Sequence, residues 1–427
     1  MASLPPSLRH RDFRLLWVAV VASGLAGQMV AVAVGWQVYA IHHKAFDLGL
    51  IGLAEFVPLP LLALPAGQLA DRLPRTLIFA VSTVAEAVVA GLLLLVTLHG
   101  AHALWAFVAL AALTGATQAL GAPAARSLTP ELVPPELLTG ALALRSIGFQ
   151  AATIAGPALG GLLFAARAES VYAVAVALLA FSLVALLLMT RAPSIAHRDA
   201  PGVESLLGGI RLIRATPVLL GAITLDLFAV LFGGAVALLP LFAKSVLHAG
   251  PIGLGVLRSM PSVGAVLAGI ILAHRSLGGR AGRKLLLVVG VFGASMVVFG
   301  LSKWFWLSSL ALAVSGFADM YSMNIRSTTV ALATPNELRG RVNSVEMVFI
   351  SASNELGAFE SGLAASLLGA VPAVVAGGAI TVALALVWPR VFPQLAQIDR
   401  LEELAARARE VLPVRRRRPA AAPEPAD

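Results

Sequence analysis

Asp226, Asp319 and Glu355 stand deep inside long apolar stretches of this 427-residue chain. An ionisable group in such a place is costly and usually faces a cavity or a partner. At a rise of about 1.5 Å per residue, Asp226 lies about 12 Å into its stretch, near the midplane of a bilayer, and Asp319 and Glu355 reach similar depths. Such acids can take up a proton or cation on one side of a membrane and release it on the other. They can equally pair with Arg145, Arg258 or Arg326, also within apolar stretches, as bridges that only hold helices together. Ser351, Asn354 and Glu355 fall at i, i+3 and i+4 and form one polar stripe, and Asp319, Met323 and Arg326 share a face in the same way. A second constellation is the run from Gly67 through Asp71 and Arg72 to Arg75, which sets an acid, two bases and a close-packing glycine in a tight loop after an apolar stretch. Other chemistries are missing from the sequence. It has no nucleotide-cradling glycine loop, no paired nucleophile and base, no cysteine, and eight scattered histidines without metal-ligand spacing. An enzyme, a cofactor and a bound metal are therefore not expected.

The elements that must hold these residues are membrane helices. Hydrophobic residues make up 59% and charged residues 12% of the chain, and the mean hydropathy is +0.89. The apolar content recurs in stretches of about 20 residues, the length that crosses a bilayer as a helix. Twelve are read: Leu15–Tyr39, Leu48–Leu64, Leu77–Val96, Leu104–Pro123, Leu138–Phe164, Val171–Met189, Val218–Phe242, Ile252–Leu272, Leu285–Leu301, Phe305–Ala331, Asn343–Leu368 and Val371–Trp388. The alternating pattern of a membrane barrel is missing. Lys and Arg gather in alternate connections and in both terminal segments, and only Lys44, Arg167, Lys244 and Lys303 fall on the opposite side. Both termini are thus expected in the cytoplasm. The net charge of +9 then reads as a topology signal and an attraction to anionic membrane lipids, with no nucleic-acid partner, and Arg415 to Arg418 read as a solvated tail.

The chain also repeats itself weakly at an offset of 205. Thr129-Pro130 precedes the fifth span as Thr334-Pro335 precedes the eleventh, and Arg75 falls on Arg280 while Asp71 falls on Ser276. The polar segment from Arg191 to Thr216, with a short amphipathic run Leu206–Ile213, separates the copies. The expected organisation is an N-terminal six-helix bundle over 1–190, a cytoplasmic loop over 191–216, a C-terminal six-helix bundle over 217–390 and a partly disordered cytoplasmic tail over 391–427.

On these residues the chain resembles the major facilitator superfamily, and in detail its enterobactin-exporter-like branch of efflux proteins. Arg11-Asp12-Phe13-Arg14, the Gly67–Arg75 loop, Gly121 to Arg126, Arg339-Gly340-Arg341-Val342 and Ser353 to Gly362 carry the likeness. The loop departs from the general pattern in having Pro74 for glycine and Thr76 for a base. Gly156-Pro157-Ala158-Leu159-Gly160-Gly161 resembles the antiporter motif of span five, with Ala152 at its upstream glycine. An arginine typical of drug–proton antiporters has no counterpart midway along Leu104–Pro123.

The resemblance implies an all-α integral membrane fold of twelve helices in two pseudo-symmetric six-helix bundles. It implies that Asp71 meets the start of span eleven, with Gly67, Arg72, Arg75, Arg126, Arg339 and Arg341 completing a cytoplasmic gate, against the plainer reading in which these charges only fix topology. It places the third helix of each half outside the cavity, so Glu86 is expected to be structural. Proline at Pro157 is expected to bend the fifth helix, with Gly156, Gly160 and Gly161 allowing close packing. Gln28, Gln150, Phe232, Asn324 and Asn354 are candidates for the substrate cavity, a mostly apolar wall with few polar groups. The expected function is proton-coupled export of small amphipathic organic molecules, drug or siderophore-like, by a monomer in a bacterial inner membrane. The alternative is a passive facilitator whose buried acids are structural.

Overall fold

The computed structural model describes residues 5–62, 65, 69, 73–100, 103–190, 203–274, 278–335 and 338–399. Twelve long helices follow one another among the described residues: α1 Arg11–His42, α2 Ala45–Leu62, α3 Arg75–Leu98, α4 Leu104–Leu132, α5 Leu138–Ala166, α6 Ala168–Leu187, α7 Pro217–Val246, α8 Gly250–His274, α9 Ala281–Leu301, α10 Phe305–Ala333, α11 Arg339–Leu368 and α12 Ala370–Val391. A linker helix, Val203–Ala215, lies between α6 and α7 and packs on α11. The expectations for 191–202 and for the tail from 400 onward lie outside the described residues.

Ten of these helices are apolar enough to cross a membrane by length and composition alone. The two that are not, α10 with 29 residues and α11 with 30, are long enough but carry Asp319, Arg326, Glu346, Glu355 and Glu360. Helices that carry charge along their length are therefore the ones that apolarity undercounts. The 205-residue offset recurs in the architecture. Displaced by that amount, α5 would cover 343–371 and α1 would cover 216–247, against the observed Arg339–Leu368 and Pro217–Val246. The chain forms two pseudo-symmetric six-helix bundles.

Local chemistry sets the turns. α1 stops at His43, in the left-handed region at φ 56°, whose N–H reaches the Tyr39 carbonyl. α11 passes into α12 through Gly369 alone, at φ 91° and ψ 156°, a region open to glycine. One expected helix keeps its proline inside, and another is modified. α5 runs unbroken through Pro157. α7 loses α-geometry at Gly233–Gly234 and ends in a 3-10 turn and a π turn, Phe242–Val246.

The halves meet unevenly. At the end opposite the termini, one apolar core joins both bundles: Met29, Val38, Phe107 and Tyr172 share it with Leu239, Phe242, Leu254 and Phe299. At the end bearing the termini the cores are separate. Phe13, Phe79, Leu128 and Leu186 belong to one half, and Leu225, Leu285, Ile325 and Trp388 to the other. Glycines make the far seam tight. A Cβ on Gly161 of α5 would lie 2.4 Å from the Pro251 carbonyl of α8, and one on Gly362 of α11 would lie 2.6 Å from the Cα of Gly49 on α2. On the first half of α5, exposed Leu142, Ala143, Ser146, Ile147, Phe149 and Ala151 spread round more than half the circumference. Past Ala152, and up to the last turn, exposure narrows to Leu159 and Leu162. The bundles are thus closed at the far end and parted toward the termini.

Within the second bundle, α8 and α10 approach until a Cβ on Gly316 would sit 1.9 Å from the Pro261 carbonyl oxygen. Gly316→Ala should therefore destabilise the protein by about 1–3 kcal/mol, the usual cost of overpacking. Gly27→Ala, where nothing lies within 4 Å, should leave the melting temperature in detergent unchanged.

Candidate transport site

Three helices of the second bundle bring charges together. Arg326 of α10 is 4% exposed; its Nη1 pairs with Asp226 Oδ1 of α7 and its Nε lies 3.5 Å from Glu346 Oε1 of α11. Asp319 stands two turns earlier on α10, on the face of Arg326, and the charges of Asp226 and Arg326 both act on it. One guanidinium thus pairs with two carboxyl groups and lies within electrostatic range of a third.

A second group bridges the bundles. α2 and α11 run antiparallel, with Gly49 against Gly362 and Gly52 against Ala358. The next turn in this register sets Glu55 opposite Glu355. Arg258 of α8 lies within electrostatic range of Glu55 and Glu355, with no direct ion pair to either among the described residues. A Cβ on Gly115 of α4 would lie 2.0 Å from the Glu55 carbonyl, so the backbone behind that acid is packed tight. Asp226 and Glu355, both expected from the sequence, therefore belong to different clusters. Arg258 and Arg326 were both foreseen as possible partners, while Glu55 and Glu346 are members that sequence reasoning did not assign. The antiparallel glycine pairs of α2 and α11 were the signal for Glu55.

The gate residues are only partly described, because Gly67, Asp71 and Arg72 lie outside the described residues. Arg75 pairs with Glu131 at the end of α4, a partner not foreseen. Arg126 Nη1 lies 3.5 Å from Met347 Sδ across the seam, and Arg145 Nη1 reaches the Arg126 carbonyl at 3.4 Å. Arg339 Nη2 donates to the Ala331 carbonyl at 3.0 Å. Arg341 lies against the linker helix, where a Cβ on Gly209 would sit 2.8 Å from its carbonyl.

The cavity candidates are dispersed. Gln28 packs its Cβ where a side chain on Gly156 would go, and Gly160 faces Met29, so both glycines serve the contact of α5 with α1 in their own half. Gln150 accepts from Thr153 Oγ1 on its own helix at 3.5 Å. Phe232 stacks on Phe228, with ring centroids 6.3 Å apart, beside the break in α7, where Ser361 Oγ donates to the Gly234 carbonyl at 2.8 Å. Asn324 is half-buried, and Asn354 is exposed.

The sequence model of a family described as a transmembrane secretion effector matches residues 2–414. An enterobactin exporter EntS of Shigella boydii serotype 18 is 28% identical over 349 residues, 79% of this chain and 81% of that one. The exporter EntS of Citrobacter koseri is 27% identical over 388 residues, 88% and 91% of the two chains. A point variant of the nucleoside transporter NupG superposes with a TM-score of 0.70 at 12% identity, covering 90% of this chain and 99% of that one. A bacterial homologue of the iron transporter ferroportin, solved inward-facing, gives 0.68 at 17% identity, covering 92% and 100%.

Removing Arg326 would leave Asp226, Glu346 and Asp319 without their shared countercharge, and breaking a buried pair from one side costs about 3–5 kcal/mol. Arg326→Met should lower thermal stability more than Asp226→Asn, which leaves Glu346 on the guanidinium. The double variant should recover part of the loss, read as a coupling in a double-mutant cycle of melting temperatures.

Proposed function

Since the chain belongs to the transmembrane secretion effector family of major facilitator transporters, we propose that it is a proton-coupled exporter of small amphipathic organic molecules, working by alternating access. One observation carries this reading. Among the described residues of the two clusters, Asp226 and Glu346 pair with Arg326, and Asp319, Glu55 and Glu355 lie within electrostatic range of Arg326 or Arg258, five carboxyl groups against two guanidinium groups. Uncompensated carboxylates on spanning helices are costly, so we assign bound protons to the surplus. A cycle that exposes the clusters to alternate sides then moves protons one way and cargo the other.

Cargo enters between the parted bundles from the face bearing both termini. The excess of Lys and Arg on that face supports its assignment to the cytoplasm, and hence export through the inner membrane of a bacterium. The division into bundles over 1–190 and 217–390, with the loop and tail at that surface, follows the same topology. Relatives that export enterobactin support a drug or siderophore-like cargo, and the protein acts as a monomer. Asp226, Asp319 and Glu355 carry the coupling protons. Gly67, Asp71, Arg72, Arg75, Arg126, Arg339 and Arg341 close the cytoplasmic end when the bundles rock.

The ion pairs of Arg326 with Asp226 and Glu346 favour a second reading, a passive facilitator in which these acids are structural. Liposomes loaded with labelled antibiotics or catechol siderophores separate the two. Export should accelerate when the outside is made acidic, stop when a protonophore collapses the gradient, and lose its gradient dependence in Asp226→Asn and Asp319→Asn. Flux of the parent that ignores the gradient and never accumulates cargo would support the facilitator.

A further inference from the structure

We propose that Lys244, seated on the last turn of α1 and on His43, is a proton-sensitive latch that holds the far end of the transporter shut. Lys244 belongs to the π turn that ends α7 in the second bundle. Its Nζ donates to the Ala40 carbonyl at 3.3 Å and lies 3.2 Å from His43 Nε2, both in the first bundle. Beside it, Tyr39 Oη and Ser245 Oγ share a hydrogen bond of 2.9 Å across the same seam. The carbonyls at a helix C-terminus carry partial negative charge and favour a cation, which is what Lys244 supplies to α1. The interrupted geometry of α7 brings it there.

The contact with His43 has a chemical condition. An ammonium group has only protons to give, so Nε2 must offer its lone pair, and the ring must be neutral. Adding a proton puts two cations 3.2 Å apart and removes one of the bonds that join the bundles. His43 is exposed, so its ring meets the solution on that face. Histidine is the side-chain type whose charge changes between about pH 5 and 8.

The neighbouring charges divide by half. Within the first bundle, His42 Nδ1 lies 3.9 Å from Asp47 Oδ2, a contact of the α1–α2 corner rather than of the seam. Lys44 follows His43 and adds positive charge there. His248 lies in the turn from α7 to α8, and Glu360 of α11 is next to Phe359, whose ring packs on Phe46 of α2. The site that a proton loosens is therefore Lys244 on His43, while the Tyr39–Ser245 bond carries no titrating charge and keeps register. In the cycle proposed above, acid on the far side would favour opening to that side. The latch itself rests on the seam contacts, and only its place in a cycle rests on the alternating access proposed above.

The chain has no cysteine, so spin labels report only where cysteines are introduced. Arg167→Cys with Lys303→Cys spans the far face, and Glu136→Cys with His274→Cys spans the face of the termini. Electron–electron distances in lipid should show the far pair short at about pH 8 and partly lengthened at about pH 5. Lys244→Met should lengthen it at both values, and His43→Gln, which keeps an acceptor but cannot titrate, should hold it short at both. A far pair in Lys244→Met that matches the parent at the higher pH would overturn the latch. So would acid opening of His43→Gln as large as the parent's, a result that does not depend on the lysine variant. If the far pair opens while the other pair stays fixed, the latch stands and alternating access fails.

Discussion

Charge buried in hydrocarbon is the constraint around which this molecule is arranged. An isolated ion at the centre of a spanning helix costs about 3 kcal/mol even on insertion scales. Arg326 escapes that cost by meeting Asp226 and Glu346 from two other helices. Those contacts fix how α7, α10 and α11 pack in the second bundle. The same constraint, applied to acids that outnumber their partners, turns a structural network into one that can hold protons.

The second consequence concerns where the halves touch. Glu55 of the first bundle and Glu355 of the second lie in register only because glycines let α2 and α11 approach at Gly49, Gly52 and Gly362. That seam sits beside the shared far-end core, while the cores near the termini stay separate. Rocking the bundles apart at the far end would pull Glu55 away from Glu355 and Arg258. A change of protonation and a change of access are then alternatives of one geometry, a two-state element that a proton can bias. Gly161 and Ser259 hold the parallel seam between α5 and α8, the latter through a 2.7 Å bond to the Ile154 carbonyl. Neither group titrates near neutrality, so this seam keeps the halves aligned while the charged one responds.

Much of this was legible in the sequence, for physical reasons. Apolar runs of bilayer length gave all twelve helices, and the 205-residue offset matched them in pairs even where identity is faint, because span length and loop length persist when side chains drift. Depth within a span put Asp226, Asp319 and Glu355 on spanning helices, since rise per residue is fixed, but Asp226 and Glu355 are half-buried and Asp319 is exposed. Partner choice was not legible. Which of Arg145, Arg258 and Arg326 meets which acid depends on helix rotation and crossing, and Arg145 turned instead to the Arg126 carbonyl. Glu131 was overlooked because an acid at a helix end looks solvated until Arg75 is seen beside it. The interruption of α7 at Gly233–Gly234 was hidden in a continuous apolar run, for hydropathy is blind to backbone geometry. Pro157, expected to bend α5, is carried inside a helix that continues on both sides of it.

The central claim is that the surplus carboxyl groups of the two clusters hold protons, and infrared spectroscopy of the protein in lipid reads that directly without knowledge of the cargo. Spectra near neutral pH, taken as differences between the parent and Asp319→Asn or Glu355→Gln, isolate the carbonyl stretch of a protonated carboxylic acid. The account predicts that at least one substitution removes such a band. Difference spectra showing only the loss of ionised carboxylate at both positions would contradict it.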